Sequence, residues 1–212
     1  REKPLTPAPL VSVAIACAGA SRAAVRSTLE ALGKQTYANF EVCVVSELAQ
    51  AGLTDYEGIP KFRLVLFNGT AHEQLKAAEK MLNGAYFLQL LPGDLPAPDA
   101  LHMLVLQTHA NPEAEVVFAD EDSVIDGIRQ NPIFKPDYGR DTLRSFNSIG
   151  RPMLVSKRVH TAVGGFRGST PAELWAYCID CASAAKQGIP LIEGNIHSSD
   201  VFYRQPSDAK PT

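Results

Sequence analysis

Leu10–Cys17 reads LVSVAIAC, a short run with β-branched residues at every second position and no glycine or proline. Such a run predicts a strand buried inside a sheet. Ser21 follows it as a plausible helix N-cap. Val25, Leu29 and Leu32 then recur at helical spacing, and Gly33 lies near the helix end. The same alternation repeats downstream. Phe40–Val45 (FEVCVV) and Phe62–Phe67 (FRLVLF) read as the second and third strands. Asn68-Gly69 breaks the third, and Ala71–Leu82 carries Leu75, Ala78 and Leu82 on one helical face. Ala85–Leu91 (AYFLQLL) is the fourth strand, stopped by Pro92-Gly93. A helix from Pro98 to about His109 and a fifth strand at Glu115–Ala119 follow. Strands alternating with helices predict an α/β domain with a mainly parallel central sheet flanked by helices.

Composition sets bounds. The chain has 212 residues, 45% of them hydrophobic, 20% charged, and a formal net charge of −3. That is the profile of a globular chain with enough apolar surface to fold. No basic run suggests a nucleic-acid partner. No stretch approaches the ~20 apolar residues of a membrane span. The start, Arg1-Glu2-Lys3-Pro4, lacks the pattern of a signal peptide. Cys17, Cys43, Cys178 and Cys181 are too sparse for a disulfide scaffold. Cys178 and Cys181 have CxxC spacing, but His197 is the only downstream candidate for completing a zinc site. Two thiols one helical turn apart is the simpler reading. Residues 1–9, with three prolines, read as a linker, 10–205 as one domain and 206–212 as a tail.

The second half is less regular. Asp120 to Asp141 is rich in turn formers. Short strands are expected at Leu154–Val155, Ile189–Ile192 and Val201–Tyr203, and a helix at Pro171–Lys186. Trp175 and Tyr177 could stack on a sugar ring, but a helix position favours a partly buried role.

In parallel sheets ligands bind beyond the carboxyl ends of the strands. Asp120-Glu121-Asp122 directly follows the fifth strand. Adjacent carboxylates repel unless a cation, a helix end or solvent separates them, so the cluster is either a ligand site or a solvated turn. Asp94 follows the fourth strand and either binds something or caps the next helix. The loop Ala18-Gly19-Ala20-Ser21 is neither a G-x-G-x-x-G nor a Walker loop.

The order of segments resembles family 2 glycosyltransferases of the GT-A fold, of the bacterial surface-polysaccharide type. Leu10–Ile15, Leu29–Val45 (LEALGKQTYANFEVCVV) and Gly84–Leu101 (GAYFLQLLPGDLPAPDAL) carry the likeness. Val117–Arg167 carries it most strongly, with FADEDSVIDG, FKPD, SFNSIG and VGGFR in order. The resemblance implies sugar transfer from a nucleotide donor, with Mg²⁺ or Mn²⁺ on a D-x-D motif holding the diphosphate and a carboxylate base for the acceptor.

The sequence departs from that pattern. The two D-x-D aspartates fall on Leu91 and Gly93, leaving Asp94 as the acid there. The nucleoside-contacting pair falls on Ser46-Glu47, and an expected Asn on Lys76. The usual base position is Pro171, with Glu173 nearby, and the late His becomes Arg204. Asp120-Glu121-Asp122, Phe134-Lys135-Pro136-Asp137, Asn147, Gly150 and Gly164-Gly165-Phe166 are retained.

Several expectations follow from the resemblance. Glu173 and Asp122 are the candidate bases. Glu47, Lys76, Asp94 and Arg204 are the donor-side candidates. Asp120, Glu121, Lys135, Asp137, Asn147 and Arg151 are the acceptor-side candidates. No metal or other cofactor is expected. The expected function is that of a polysaccharide-biosynthesis domain with weakened or lost catalysis, structural or glycan-binding. Its partners would be a nucleotide-sugar or glycan and other domains of one polypeptide, in the cytoplasm or at the inner membrane face. One alternative is an active metal-independent transferase, in which Lys76, Arg151 or Arg204 neutralises the diphosphate. The other is an interaction module unrelated to sugars, which should show an exposed apolar patch and no acidic cleft.

Overall fold

The computed structural model describes residues 5–47, 59–125, 128–185, 195–196 and 202–204. In chain order the elements are β1 (Val11–Ala16), α1 (Arg22–Leu32), β2 (Phe40–Ser46), β3 (Phe62–Leu66), α2 (Ala71–Glu79) and β4 (Tyr86–Leu90). Then come β5 (Asp94–Leu95), α3 (Ala100–Ala110), β6 (Val116–Ala119), β7 (Glu121–Ile125) and β8 (Ile128–Ile133). The last are α4 (Arg140–Ser145), β9 (Met153–Ser156), α5 (Lys157–Ala162), α6 (Pro171–Ala184), β10 (Asn195–Ile196) and β11 (Phe202–Arg204).

The main sheet has the order β10-β6-β9-β4-β1-β2-β3. It is parallel except at β9, which runs antiparallel to both β4 and β6. β1 lies between β2 and β4 and is buried along its whole length, which is why its sequence is apolar except for Ser12. Its alternate side chains feed two cores. Val11, Val13 and Ile15 pack with Val25, Leu29 and Leu32 of α1 and Leu101 and Leu104 of α3. Ala14 and Ala16 pack with Leu75 and Ala78 of α2 and Tyr177 and Cys178 of α6. Each fully buried Leu or Ile contributes roughly 1.5–3 kcal/mol through lost water contact.

The strand and helix expectations hold, with α2 stopping at Glu79 rather than Leu82. Beyond Glu79, Met81 and Leu82 donate to backbone carbonyls three residues back, so the chain tightens there into turns. The stretch after Asp120 is more ordered than its turn-rich composition suggests. It forms the antiparallel hairpin β7–β8, part of a second sheet in the order β5-β11-β7-β8. The expected strand at Ile189–Ile192 and His197 lie outside the described residues.

One polar cluster sits inside the main sheet. Glu41 is 1% exposed. It accepts from Ser12 Oγ at 2.7 Å, from the Asn83 backbone N–H at 2.6 Å and from Arg63 at 2.7 Å. Burial raises its pKa, but these bonds outweigh burial and the net shift is downward. This cluster lies by the amino ends of the strands and shapes the scaffold, not the site.

A cleft at the carboxyl ends of the strands

A cleft of about 830 Å³ opens beyond the carboxyl ends of β1 and β4. One wall is the loop after β1 with the first turn of α1, including Gly19, Ala20 and Ala24. Gln74 of α2 pins that loop: its Oε1 accepts from the N–H groups of Cys17 at 2.8 Å and Ala18 at 2.9 Å. Leu91, Pro92, Gly93 and Asp94 form a second wall. Gly93, at φ +97°, is held to α1 by its N–H, which donates to Thr28 Oγ1 at 2.9 Å. The hairpin contributes Glu121, Ser123 and Ile133, and the loop before α6 contributes Ser169 and Pro171. Gln89 steadies that last loop through a 2.7 Å bond to the Gly168 carbonyl.

Leu91, Gly93 and Pro171 therefore face one cavity. These are the positions on which the family resemblance places the metal motif and the base motif. Asp94, the acid of the loop, is 4% exposed and fully engaged. Its Oδ2 accepts from the Leu91 N–H at 2.9 Å and from Arg151 Nε at 3.0 Å, and its Oδ1 accepts from Arg151 Nη2 at 3.1 Å. A divalent cation fits this loop poorly. Leucine and glycine side chains offer it no oxygen, and both Asp94 oxygens are already committed. Among the described residues no group of three or more His, Cys, Asp or Glu side chains could hold a metal ion.

The acceptor-side candidates divide into wall and support. Glu121, Asn147 and Arg151 line the cleft. Asn147 Oδ1 accepts from the Gly150 N–H at 3.0 Å and closes a turn in which Gly150 has φ +55°. Asp120 and Lys135 lie beneath. Asp120 Oδ1 accepts from the Lys135 N–H at 2.8 Å, and Lys135 Nζ donates to the Arg151 carbonyl at 2.7 Å. Lys135 is thus a buried strut joining the FKPD segment to the Arg151 turn. Asp137 is exposed and is not part of the wall. Asp122 pairs with Arg129 at 2.6 Å, and its buried Oδ1 has no hydrogen-bond partner among the described residues. The acidic triplet is therefore not a solvated turn: all three members are at most 7% exposed.

The remaining candidates sit elsewhere. Glu47 is exposed just past β2. Lys76 pairs with Glu79 at 3.0 Å and donates to the Gly164 carbonyl, away from the cleft wall. Arg204 is placed by strand register beside Asp94 and Ser123, both cleft residues. Glu173 is spent on α6. With Thr170 it forms a capping box, its Oε2 accepting from the Thr170 N–H at 3.0 Å and from Thr170 Oγ1 at 2.7 Å. The Thr170 and Ser169 bonds hold its carboxyl below the usual range, which favours a cap over a proton acceptor.

Glu173→Ala should therefore cost about 1 kcal/mol of stability at neutral pH. The folded-state pKa is depressed, so the wild-type advantage exists above the ordinary carboxylate range and disappears as pH falls through the folded value. Urea unfolding at neutral and acid pH checks this. A deficit that grows in acid would contradict the capping role.

Trp175 donates to the Leu143 carbonyl at 2.7 Å, and buried Tyr177 lies 2.6 Å from His160 Nδ1. Both serve packing. Cys178 and Cys181 are free buried thiols on α6, with burial pushing Cys178 up to about 12. The edge strand β8 leaves Ile128 and Ile133 exposed, with Phe134 beside them at 73%. That patch coexists with a cleft carrying Glu121 and Asp94.

The Asp94–Arg151 pair was not legible in the sequence. Its members are 57 residues apart, belong to opposite expected subsites, and carry no periodic signal. Gln74 and Gln89 are likewise not legible locally: Gln74 is one of several polar residues of α2, and Gln89 is a polar residue inside an apolar strand.

No protein-family model matches the chain. The chain is 30% identical over 185 residues to the uncharacterized protein y4gI of Sinorhizobium fredii, covering 81% of this chain and 20% of that protein. It is 27% identical over 168 residues to the O-antigen biosynthesis protein RfbC of Myxococcus xanthus, covering 75% of this chain and 13% of that protein. The chain thus spans a fifth or less of these relatives' length. Among solved structures, S. aureus TarS in complex with UDP-GlcNAc superposes with a TM-score of 0.70 at 14% identity, covering 94% of this chain and 59% of that one. The mannosyltransferase PcManGT of Pyrobaculum calidifontis, in complex with GDP-Man and Mn²⁺, gives 0.54 at 18% identity, covering 96% and 56%. The fold is the GT-A α/β fold of glycosyltransferases, and the likeness to the surface-polysaccharide type read from the sequence is borne out.

Proposed function

We propose that this chain is a glycosyltransferase-like domain of a surface-polysaccharide biosynthesis protein in which metal-dependent sugar transfer is weakened or lost. It would serve that protein as a glycan-binding or structural domain beside others of the same polypeptide. The fold and the O-antigen relative support the setting. One observation carries the loss. Leu91, Gly93 and Pro171 line the cleft at the positions where metal ligands and base are expected. Glu121 and Asn147 would face a glycan on the acceptor side, with Asp94 and Arg204 on the donor side. A place in the cytoplasm, at or near the inner membrane face, follows from that role. No helix among the described residues is long and apolar enough to cross a membrane.

The test is turnover. The domain is incubated with UDP-GlcNAc or GDP-Man and Mn²⁺, with and without acceptor glycans, and free UDP or GDP is measured. No release above the protein-free blank is expected. Sustained multiple turnover that depends on Mn²⁺ would sink the reading. A second reading, metal-independent transfer, is favoured by the guanidinium of Arg151 in the cleft wall. Release that persists in EDTA and vanishes in Arg151→Met would establish it instead.

A further inference from the structure

No residue of α2 is on the cleft wall, yet two separate walls are tied to this helix. Gln74 holds the near one. It is fully buried, and its Oε1 accepts from the Cys17 and Ala18 N–H groups at 2.8 and 2.9 Å. Its Nε2 donates to the Phe67 carbonyl at 3.2 Å. Gly19, Ala20 and Ser21 of the cleft wall follow directly. Three other α2 side chains hold the segment that leads to the far wall. Lys76 Nζ donates to the Gly164 carbonyl, Glu79 Oε1 accepts from the Phe166 N–H at 2.6 Å, and His72 Nδ1 meets the Arg167 carbonyl. Ser169 and Pro171 of the cleft wall come just after Arg167.

Helix geometry separates the two grips. His72, Lys76 and Glu79 recur at i, i+4 and i+7 and so form one stripe. Gln74 lies about 200° round the helix from His72 and projects the other way. The helix itself makes the grips depend on each other. α2 has nine residues. An isolated helix shorter than ~12 residues is marginal in water, so tertiary anchors carry its stability. Gln74, Leu75 and Ala78 are its buried residues, which leaves few apolar contacts to replace a lost anchor. A capping box closes the first turn, but the last turn relies on the partners of Glu79: the Phe166 N–H, Lys76 at 3.0 Å and His160 Nε2 at 3.3 Å. A helix this short that loses its last turn keeps too few bonds to outweigh the cost of its nucleus.

We propose that α2 couples the two cleft walls by opening and closing as one unit. Loosening the segment from Gly164 to Arg167 then also releases Ala18 from Gln74, and a molecule that orders one wall orders the other. The coupling belongs to the scaffold and stands whether or not the cleft transfers sugar.

Amide hydrogen exchange, followed residue by residue by NMR on the intact chain, tests it. Glu79→Gln keeps the size of the side chain and removes its charge. The Phe166 amide should then exchange about tenfold faster or more. The decisive reporter is Ala18, whose N–H is held by Gln74 on the side of the helix away from Glu79. It should speed up by a similar factor, together with the amides of α2. The Val13 and Val42 amides, inside β1 and β2, should keep their protection. In the reverse direction, Gln74→Met should speed up the Phe166 amide. If either variant does not fold, Lys76→Met takes its place and the same amides are read, since it removes only a partly exposed ammonium. Faster exchange confined to residues 164–171, with Ala18 unchanged, overturns the coupling and leaves two independent contacts. No response at either amide overturns it too. So does acceleration that reaches Val13 and Val42, because the chain then opens globally and not through α2. None of these outcomes depends on turnover, so each leaves the reading of the domain untouched.

Discussion

Asp94→Ala should lower the free energy of unfolding by about 3–5 kcal/mol, because it leaves the Arg151 guanidinium covered and without its carboxylate. The pair is well shielded from solvent, at 12% and 6% side-chain exposure, so water screens it poorly. The substitution also strips the acceptor from the Leu91 N–H, which Asp94 binds at 2.9 Å. Two cleft walls separate as a result, the Leu91–Asp94 loop and the Arg151 turn. Arg151→Met in the Asp94→Ala background removes the stranded charge and should restore part of the loss. Urea unfolding of the two single variants and the double variant measures the coupling. A single-variant effect within about 0.5 kcal/mol would mean that the pair behaves as an ordinary surface ion pair.

This pair also marks where sequence reading stopped. The main sheet is legible because β1, β2 and β4 are buried and therefore mostly apolar, and burial is what composition reports. The hairpin β7–β8 was not. Its second strand is exposed along its whole length and carries a proline and a charge, so no two-residue alternation marks it. The cleft could be placed from the strand ends and the family likeness, but the duties of its carboxylates could not. Glu173 reads as a base by alignment, yet Thr170-Pro171-Ala172-Glu173 is also a capping box, and the structure uses it as one. Asp120, Glu121 and Asp122 are neighbours in sequence but have three different surroundings: Lys135 backbone, cleft wall and Arg129. Those differences depend on strand pairing, which a single sequence does not encode locally.

Gly164 and Gly165 allow the sharpest separation of backbone strain from steric conflict. Both have left-handed backbones, with φ of +79° and +82°. A Cβ on Gly164 would meet nothing within 4 Å. Gly164→Ala should therefore cost only the left-handed penalty, about 1–2 kcal/mol. A Cβ on Gly165 would stand closer than 3.0 Å to both carboxylate oxygens of Glu79 and to Lys76 Nζ. Long side chains can often swing aside, but Glu79 is held. It accepts from the Phe166 N–H at 2.6 Å and lies 3.0 Å from Lys76 Nζ and 3.3 Å from His160 Nε2. His160 is itself fixed, stacked on Phe87 at 4.1 Å and bonded to Tyr177. Retreat of Glu79 would break that network, so Gly165→Ala should cost about 3–5 kcal/mol. Burial raises the Glu79 pKa, but the bonds from His160, the Phe166 N–H and Lys76 outweigh burial, and its carboxyl titrates below the usual range. A depressed folded-state pKa gives stability that is present above the ordinary carboxylate range and lost as pH falls through the folded value. The gap between Gly165→Ala and wild type should therefore narrow in acid, while the Gly164→Ala gap stays constant. Equal costs for the two alanines, or parallel pH profiles, would show that Glu79 yields freely and that the left-handed backbone accounts for both.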